Sequence, residues 1–568
     1  MRPIHPLAAV LMATAWVLPE TAARSEPTQV FQDVAARVGL RFDHCTGATG
    51  DFYLPEIMGS GVALFDYDND GDLDAYLLQG VRLDATAKPL LFPEPCRFPG
   101  GRLFRNELEN GSLHFTDVTE GAGLRGTAFE MGVAVGDYDN DGYPDLYVTR
   151  LGSNALYRNS TDGTFTDVTA QAGVDDQRWG TSAAFLDYDR DGDLDLFVVN
   201  YVDFTLRGNK SCRDAVGERD YCNPAVYEPQ PDRLFRNDGH GRFTDVSREA
   251  GIAGAAGAGL GVVTGDFNGD ERIDLYVAND GTPNHLWLSQ GDRTFREAGL
   301  ISGSAFNQDA EPEAGMGLAA ADFDRDGDDD IFVTNLTGET NTLYLNDGTA
   351  NFADVTLERG LAGDSLPYTG FGTAWLDYDD DGLLDLFVAN GAVAIEEALR
   401  GRRYPYHQID LLFRQQSVGR FTRIDTRTGL HLRGVSRGVA AGDMDNDGDV
   451  DLLVSNNNGP ARLLLNRSSS HGHWISIRLR GRVSNREGLG SLVTVVPRGS
   501  PPVVQRVRAD GSYLASSDPR VHVRLGEART VDEIRVCWPT GQCEAWDEIE
   551  TNSLVTLKED SGTLRASP

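Results

Sequence analysis

Hydrophobic residues along this chain form short runs, which glycine, aspartate and asparagine residues separate. One representative stretch begins Gly132-Val-Ala-Val-Gly, passes through an acidic segment and resumes at Asp145-Leu-Tyr-Val. Short runs of Val, Phe, Tyr and Leu between turn residues are typical of β-strands, and no long stretch keeps the period of an amphipathic helix. The pattern therefore predicts an all-β fold.

The strands belong to a unit that recurs seven times along the chain. Each unit contains about four predicted strands, an acidic loop and a closing strand such as Leu156-Tyr-Arg-Asn. One such unit cannot bury its own apolar face, so neighbouring units must pack together. Four strands in each of seven units predict a seven-bladed β-propeller over residues 30–466. The units begin at Phe31, Phe115, Phe165, Phe243, Phe295, Phe352 and Phe421.

The acidic loop of each unit has the spacing of a cation site. In the second loop, Asp137, Asp139, Asp141 and Asp145 occupy positions 1, 3, 5 and 9, and Gly142 at position 6 allows a sharp turn. Alternate side chains, together with the carbonyl of position 7, can then converge on one ion. Ca²⁺ suits such a set of oxygen ligands. The loop is not an EF-hand, because position 12 is apolar in every copy instead of glutamate.

Up to seven Ca²⁺ ions are therefore predicted, held between strands in a structural rather than a sensing role. The predicted ligands are Asp66, Asp68, Asp70, Asp72, Asp74, Asp137, Asp139, Asp141, Tyr143, Asp145, Asp187, Asp189, Asp191, Asp193, Asp195, Asp266, Asn268, Asp270, Arg272, Asp274, Asp322, Asp324, Asp326, Asp328, Asp330, Asp377, Asp379, Asp381, Leu383, Asp385, Asp443, Asp445, Asp447, Asp449 and Asp451. The fourth loop departs from the pattern, with Asn268 at position 3 and Glu271 at position 6. A residue other than glycine must accept an unfavourable backbone conformation there, so this site is predicted to be the weakest.

The predicted metal sites change the interpretation of the net charge of −36. The seven loops contain 34 of the 87 acidic residues, and seven divalent ions would bring the formal charge to −22. The acidity therefore comes largely from metal ligands rather than from a solvated tail. A strongly acidic chain also argues against nucleic acid as a partner, since phosphate binding needs a basic surface.

The first 23 residues have the features of a signal peptide. Arg2 precedes an apolar run over residues 6–18, and Thr21-Ala-Ala offers a cleavage site. A secreted or periplasmic protein is predicted, with a disordered N-terminal tail as the alternative. No later segment is apolar enough to span a membrane, and we expect the protein to be a monomer.

Six cysteines form an even number, which fits disulfide bonds in an oxidising compartment. Cys212 with Cys222, and Cys537 with Cys543, are close in sequence and are the predicted local pairs. That assignment leaves Cys45 with Cys96. Buried free thiols are the alternative.

The repeat ends after Asn466, and residues 467–473 have the composition of a linker. Residues 474–560 again alternate short apolar runs with turns. This pattern predicts a small β-sandwich domain, followed by a tail over residues 561–568.

Several motifs carry a resemblance to known families. The stretch Gly132-Val-Ala-Val-Gly-Asp-Tyr-Asp-Asn-Asp-Gly resembles the FG-GAP/VCBS repeats of integrin α-type propellers. The segments Ser484-Asn-Arg-Glu-Gly-Leu-Gly, Tyr513-Leu-Ala-Ser-Ser-Asp-Pro-Arg and Trp538-Pro-Thr-Gly are similar to the ASPIC/UnbV domain. In this order the two parts resemble the cartilage acidic protein family. The resemblance implies a secreted, calcium-binding propeller.

The first functional hypothesis is an extracellular binding or adhesion module. Its partner, a protein or a glycan, would contact variable loops on the face opposite the calcium sites, at about residues 79–102, 199–233 and 389–411. Solvated loops without a partner are the alternative. The candidate contact residues are Arg213, Tyr221, Tyr227, Arg400, Arg402, Arg403, Tyr404, Tyr406 and His407.

The second hypothesis is a calcium-stabilised carbohydrate-active enzyme, similar to a polysaccharide lyase, with its site on the same face. His44 and Glu56 are the candidate base and acid, and a packing role is the favoured alternative for both. The sequence contains no His-Glu-x-x-His motif, and no catalytic residue is predicted.

Overall fold

A computed structural model describes residues 29–83, 99–108, 111–214, 216–395, 403–425, 428–468 and 472–566. Within these ranges strands dominate and the α-helices are single turns, so the predicted all-β fold is confirmed. The predicted signal peptide, Cys96, Arg400 and Arg402 lie outside the described residues.

The described residues between 31 and 466 form seven antiparallel sheets of four strands. The first three are β2 (Val62–Phe65), β3 (Asp74–Leu77), β4 (Arg102–Asn106) and β5 (Phe115–Asp117); β6 (Glu130–Gly136), β7 (Asp145–Arg150), β8 (Ala155–Asn159) and β9 (Phe165–Asp167); and β10 (Gly180–Leu186), β11 (Asp195–Asn200), β14 (Arg233–Asn237) and β15 (Phe243–Asp245).

The remaining four sheets have the same strand order. They are β16 (Gly259–Gly265), β17 (Asp274–Asn279), β18 (His285–Ser289) and β19 (Phe295–Glu297); β20 (Leu318–Ala321), β21 (Asp330–Val333), β22 (Thr342–Asn346) and β23 (Phe352–Asp354); β24 (Gly370–Leu376), β25 (Asp385–Asn390), β26 (Leu411–Ser417) and β27 (Arg420–Arg423); and β28 (Ser436–Gly442), β29 (Asp451–Asn456), β30 (Arg462–Asn466) and the N-terminal strand β1 (Phe31–Asp33).

The first strands of the seven sheets contact one another in sequence order, and the series returns from β28 to β2. The sheets therefore surround a common axis. Apolar clusters fill the spaces between neighbouring sheets; one of them joins Tyr76 and Leu103 of the first sheet to Val133 and Leu146 of the second. We interpret each four-stranded sheet as one propeller blade.

Strand β1 completes the seventh sheet rather than the first. Phe31 pairs with Asn466, and Asp33 pairs with Leu464. Every sheet takes its outermost strand from the sequence unit that follows it, so the predicted repeat unit is offset by one strand from the structural one. Pairing the first strand with the last joins the two ends of the ring and covers exposed strand edges.

Single-turn helices occur in the connections. Gly123, with φ 78°, ends the helix after β5 in the left-handed conformation that glycine adopts readily. The helices are α1 (Pro55–Met58), α2 (Thr119–Ala122), α3 (Thr169–Ala172), α4 (Gly299–Ser302), α5 (Thr356–Arg359) and α6 (Ala362–Ser365), with 3₁₀ turns at Leu206–Gly208, Pro224–Val226 and Ile252–Gly254.

The C-terminal domain contains two further sheets. Strand β31 begins inside the segment predicted to be a linker, and β38 lies in the predicted tail. The three-stranded sheet is β34 (Val521–Gly526), β31 (His473–Arg480) and β37 (Ser553–Lys558), and the five-stranded sheet is β33 (Val503–Arg506), β32 (Leu492–Pro497), β35 (Thr530–Cys537), β36 (Cys543–Glu550) and β38 (Thr563–Arg565).

Residues 510–518 of the C-terminal domain form a loop, here called the central loop, that enters the middle of the ring. Its Ser516 exchanges backbone hydrogen bonds with Val62 and Leu64, each at 3.0 Å. A Cβ atom on Gly61 would lie 1.5 Å from the carbonyl oxygen of Leu514, so glycine is required for this close approach. Hydrogen bonds join the central loop to the first strand of every sheet, at Val62, Val133, Ser182, Val262, Leu318, Thr373 and Ala441.

Two predicted disulfide bonds are confirmed. Cys212–Cys222 lies beside a two-stranded sheet of β12 (Cys212–Arg213) and β13 (Arg219–Asp220), and Cys537–Cys543 joins β35 to β36. Cys45 is also disulfide-bonded. Among the helices of the described ranges, none has the length and apolarity needed to cross a bilayer.

Candidate metal centres and the two loop faces

Each acidic loop joins the first and second strands of a sheet, and its aspartates shape the turn. In the second loop the Asp137 carboxylate accepts hydrogen bonds from the backbone N–H groups of Asp141 at 3.0 Å and Gly142 at 2.7 Å. Asp145, which begins β7, accepts one from the N–H of Tyr138 at 3.2 Å. The bond from position 6 to the first aspartate recurs at Gly71, Gly192, Gly327, Gly382 and Gly448.

The predicted ligands converge in groups of three whose carboxylate oxygens lie within 4.8 Å of one another. Groups are formed by Asp66 with Asp68 and Asp70, Asp137 with Asp139 and Asp145, Asp187 with Asp189 and Asp195, Asp322 with Asp324 and Asp326, and Asp377 with Asp379 and Asp385. Buried carboxylate oxygens without a hydrogen-bond partner include Oδ1 of Asp66, Asp68, Asp139, Asp324, Asp379 and Asp445. Clustered buried carboxylates are costly unless a cation lies between them, so this donor set fits a hard divalent cation.

The electrostatics of the clusters agree with that fit. Burial, helped by the nearby Glu487 carboxylate, raises the pKa of Asp137 to about 8. Burial also raises the pKa of Asp187 and Asp377 to about 7, and it raises the pKa of Asp145 well above the usual range. The folded loops therefore disfavour their own ionised carboxylates, and a bound cation would reverse this penalty.

The fourth loop has the irregular conformation expected from its sequence. Glu271 adopts φ 64°, in the left-handed region that glycine occupies in the other loops. Arg272 forms an ion pair with Asp270 at position 5. The guanidinium group therefore competes with any metal for one of the predicted ligands, which adds a second reason for a weak site.

Position 4 of the acidic loops contributes contacts that the sequence analysis missed. The Asn69 side chain donates to the carbonyl oxygen of Gly142 in the next loop at 2.8 Å. Asn140 donates in the same way to Gly192 at 3.2 Å, and Arg190 donates to the carbonyl of Glu271. Each of these loops is thus linked to its neighbour around the ring.

A similar link joins the last loop to the first, and the fourth and sixth loops differ. Asn446 of the last loop donates to Asp72 of the first at 2.8 Å, whereas Gly269 in the fourth loop has no side chain to reach the fifth. Asp380 in the sixth loop cannot donate, and Arg524 of the C-terminal domain binds both Asp380 and the Gly448 carbonyl. The sequence feature that could have indicated these links is an asparagine at position 4, where the backbone is left-handed. The φ angle is 60° at Asn69, 57° at Asn140 and 54° at Asn446.

The C-terminal domain covers the face that carries the acidic loops, and arginine residues make the contact. Arg478 pairs with Asp66 at 2.7 Å. Arg506 and Arg508 share Asp329 at 3.3 and 2.5 Å. Charge-assisted hydrogen bonds of this kind are strong when they are shielded from water. The position of this domain was not predicted from the sequence.

The opposite ends of the strands carry the long connections, and two of these meet over the axis. The Tyr221 hydroxyl donates to Glu56 at 3.0 Å, and the rings of Phe52 and Tyr221 meet edge-on with centroids 5.1 Å apart. Arg219 pairs with Asp51 at 3.6 Å. The connection that contains α1 and the disulfide-bonded insertion thus close this end of the ring.

His44 and Glu56, the candidate base and acid, are buried in packing contacts. His44 Nδ1 accepts a hydrogen bond from the backbone N–H of Asn458 at 3.2 Å. Burial, aided by the Arg437 guanidinium, lowers the pKa of His44 to about 3, so the ring stays neutral. Glu56 accepts hydrogen bonds from the Thr49 backbone and from Tyr221. These contacts match the packing role.

The predicted contact residues differ in their exposure. Tyr404 is 55% exposed, its ring packs against His407 with centroids 4.6 Å apart, and the Arg403 guanidinium lies 5.0 Å from the same ring. Tyr227, in contrast, is buried against Phe204. Fewer of the predicted contact residues are therefore exposed on this face than the sequence suggested.

Two family descriptions match the chain. The FG-GAP-like repeat matches residues 137–198, 225–277, 266–333 and 322–388, and ASPIC and UnbV matches residues 481–564. The protein therefore combines FG-GAP repeats in a propeller-like, all-β fold with a C-terminal ASPIC/UnbV domain.

The particular relatives are cartilage acidic proteins. The chain is 26% identical to human cartilage acidic protein 1 over 324 residues, which are 56% of this chain and 46% of that protein. It is 27% identical to the mouse protein over 350 residues, covering 58% and 51%. The predicted resemblance is confirmed, and the chain spans about half the length of the curated relatives that it matches.

Three solved structures resemble the fold at low sequence identity. An Agrocybe aegerita lectin described as recognising terminal N-acetylglucosamine is 15% identical, covers 66% of this chain and 90% of its own, and has a TM-score of 0.37. YCF48 bound to a D1 peptide is 10% identical over 79% and 99%, with a TM-score of 0.39. BBS1N in complex with ARL6DN is 11% identical over 78% and 99%, with a TM-score of 0.37.

Proposed function

We propose that this protein is an exported, calcium-stabilised propeller that binds a protein or glycan partner through the face opposite its acidic loops. The proposal rests on one observation: the C-terminal domain covers one face of the ring of sheets and leaves the other face uncovered. The C-terminal domain covers the acidic loops through Arg478, Arg506 and Arg508, which leaves the face with the variable connections for a partner. Loops on a rigid scaffold commonly hold binding residues.

The metal in this proposal is Ca²⁺, held by the carboxylates at positions 1, 3, 5 and 9 and the carbonyl at position 7. A bound divalent ion supplies the positive charge that lets these buried carboxylates stay ionised. The chain's own residues fix the turn, since Asp137 binds the backbone at its tip and Asp145 begins the next strand. Ordering an acidic loop therefore orders the two strands that it joins.

Export is supported by the predicted signal peptide and by the disulfide bonds Cys212–Cys222 and Cys537–Cys543. Structural disulfides persist in oxidising compartments outside the cytosol. Calcium sites of extracellular modules bind at about 10⁻⁴–10⁻³ M, so such sites would remain filled in that environment. The proposed binding surface needs residues from one chain only, so we propose that the protein is a monomer.

The proposed contact surface, called the free-face patch, consists of Phe52, Tyr221, Arg403, Tyr404 and His407. Tyrosine and arginine are enriched in binding hot spots, because they combine a large apolar area with hydrogen-bonding groups. The stacking of Arg403, Tyr404 and His407 holds these side chains in place before a partner arrives. Less conformational entropy is then lost on binding.

The test is a screen of the full calcium-loaded chain against immobilised glycans and extracellular proteins. A ligand of the free-face patch should lose at least about tenfold in affinity when Arg403→Ala and Tyr404→Ala are combined. Arg482→Ala is the matched control, because Arg482 is an exposed arginine of the C-terminal domain. Equal binding by all three proteins, or no ligand in the screen, would contradict the proposal. The enzyme hypothesis is not favoured, because His44 and Glu56 serve packing.

A further inference from the structure

A cleft of about 480 Å³ lies between the C-terminal domain and the fifth and sixth acidic loops. Its walls include Asp322 and Asp326 of the fifth loop, Trp375 of β24, and Gln505, Arg508 and His522 of the C-terminal domain. Small-molecule sites in proteins commonly occupy 300–1,000 Å³ and often lie between domains. The size and the position of the cleft therefore suit a ligand site.

The C-terminal domain covers the acidic loops unevenly. The first aspartate is buried in the first, second, third and seventh loops, with Asp137 only 1% exposed. Asp266, Asp322 and Asp377, the first aspartates of the fourth, fifth and sixth loops, remain partly exposed, and the last two lie beside the cleft. Solvent, and hence a dissolved ligand, reaches the protein interior at this position.

An aromatic side chain forms part of the wall. Trp375 stacks on Phe323 with an interplanar angle of 4° and centroids 5.7 Å apart, so the indole is fixed by packing. The residue is partly exposed, although its Nε1 atom is buried without a hydrogen-bond partner. The exposed part of a rigid indole can stack on a ligand.

Charged side chains in the wall are held by their own contacts. Arg508 is fixed by Asp329 and by the carbonyl of Ala320, and His522 contacts Asp518 through Nε2 at 3.0 Å. The wall around Trp375 is therefore kept in position before a ligand arrives.

The charges around the cleft are close to balance, because five arginines face six aspartates among its lining residues. Neither a strongly anionic nor a strongly cationic ligand is favoured by this arrangement. A neutral saccharide suits it, because hydroxyl groups both donate and accept hydrogen bonds and the C–H face of a sugar ring packs on an indole. We propose that this cleft binds a short neutral saccharide, with Trp375 as the stacking residue.

The proposed site is distinct from the free-face patch, so each can fail without the other. The test is calorimetric titration of the full calcium-loaded chain with cellotetraose, xylotetraose and chitotetraose, and with a sulfated tetrasaccharide as the charged comparison. At least one neutral tetrasaccharide should bind, and Trp375→Leu should weaken that binding at least about tenfold.

A second variant keeps the test valid if Trp375→Leu disturbs the fold. Arg325 lines the cleft and has φ 66° at position 4 of its loop. Asparagine stands at that position in three other loops, so Arg325→Asn should fold normally and should also weaken binding. Arg190→Asn is the matched control at the same position of the third loop and should bind as the wild type does.

Three outcomes would overturn the inference. The first is that no neutral tetrasaccharide binds at about 10 mM. The second is that binding is equal in the wild type, Trp375→Leu and Arg325→Asn. The third is that only the sulfated tetrasaccharide binds.

Discussion

The ring of Tyr513 lies edge-on to the ring of Phe371, with centroids 4.8 Å apart, and the Tyr513 hydroxyl donates to the carbonyl of Met58 at 3.1 Å. Tyr513 belongs to the central loop of the C-terminal domain, Phe371 to the first strand of the sixth sheet and Met58 to α1. All three side chains are buried. One tyrosine therefore joins the C-terminal domain, the ring of sheets and the connection that closes the opposite face.

Removing this side chain should destabilise the whole chain. Tyr513→Ala is expected to lower the free energy of unfolding by about 3–5 kcal/mol, because it leaves a cavity at the centre of the ring. Tyr513→Phe keeps the ring and loses only the hydroxyl, so its expected cost is about 1 kcal/mol. Denaturant unfolding of both variants measures the difference. Similar small losses in the two variants would mean that the central loop does not support the ring.

Arg524 should contribute far more to domain docking than an exposed arginine. It pairs with the buried Asp380 and with Asp449 and is 9% exposed. Arg524→Gln leaves Asp380 without its cation and should cost about 3–5 kcal/mol. Arg498→Gln is the control, because the exposed pair of Arg498 with Asp532 is worth about 0–1 kcal/mol. Thermal melts of equal midpoint for the two variants would argue against docking through Arg524.

The inter-loop links can be tested at Asn140. Asn140→Gly keeps the left-handed backbone and removes the bonds to the third loop, together with the bond that Asn140 Oδ1 accepts from the Arg486 backbone N–H, so a loss of about 0.5–1.5 kcal/mol is expected. Asn140→Ala also places an alanine, which has a Cβ atom, in the left-handed backbone conformation. This strain adds about 1–2 kcal/mol to the loss of stability. Calorimetry should rank wild type, glycine variant and alanine variant in that order of stability. A glycine variant as stable as the wild type would show that the links contribute nothing.

Asp232 should make stability fall as the pH rises. Burial raises the pKa of Asp232 to about 7, and its carboxylate accepts a hydrogen bond from the backbone N–H of Asn200 at 3.0 Å. The folded state therefore binds the proton more tightly than the unfolded chain does, and stability decreases from about pH 4 to about pH 7.

Asp232→Asn keeps an oxygen acceptor and has no charge to bury. The variant should be more stable than the wild type by roughly 2–4 kcal/mol at pH 8, and this advantage should vanish near pH 4. Chemical denaturation at the two pH values measures both quantities. An advantage that is independent of pH would contradict the assigned titration.

The local parts of the fold were predictable because each follows from a short stretch of sequence. The alternation of apolar runs and turn residues located the strands, and the spacing of Asp137, Asp139 and Asp145 located the carboxylate clusters. The offset of the repeat was not predictable from one unit, since Phe31 finds its partner Asn466 at the far end of the chain.

The contacts between distant parts of the chain were also missed, for physical reasons. Tyr513 and Ser516 read as turn residues of the C-terminal domain, and no local pattern shows that they fill the centre of the ring. The arginines of that domain, such as Arg478, have ordinary surface character until Asp66 is brought beside them. The predicted calcium ligands remain a prediction that metal measurements must decide.

The most direct measurement of the central claim is the melting temperature of the calcium-loaded chain before and after a chelator, with the bound calcium counted by mass spectrometry. The account predicts bound calcium in the wild type and a fall in melting temperature of more than about 10 °C on chelation. It also predicts fewer bound ions in Asp139→Asn than in the control Asp162→Asn. Asp162 lies in an exposed turn outside the acidic loops. A melting temperature that the chelator leaves unchanged, or equal calcium content in the two variants, would contradict it.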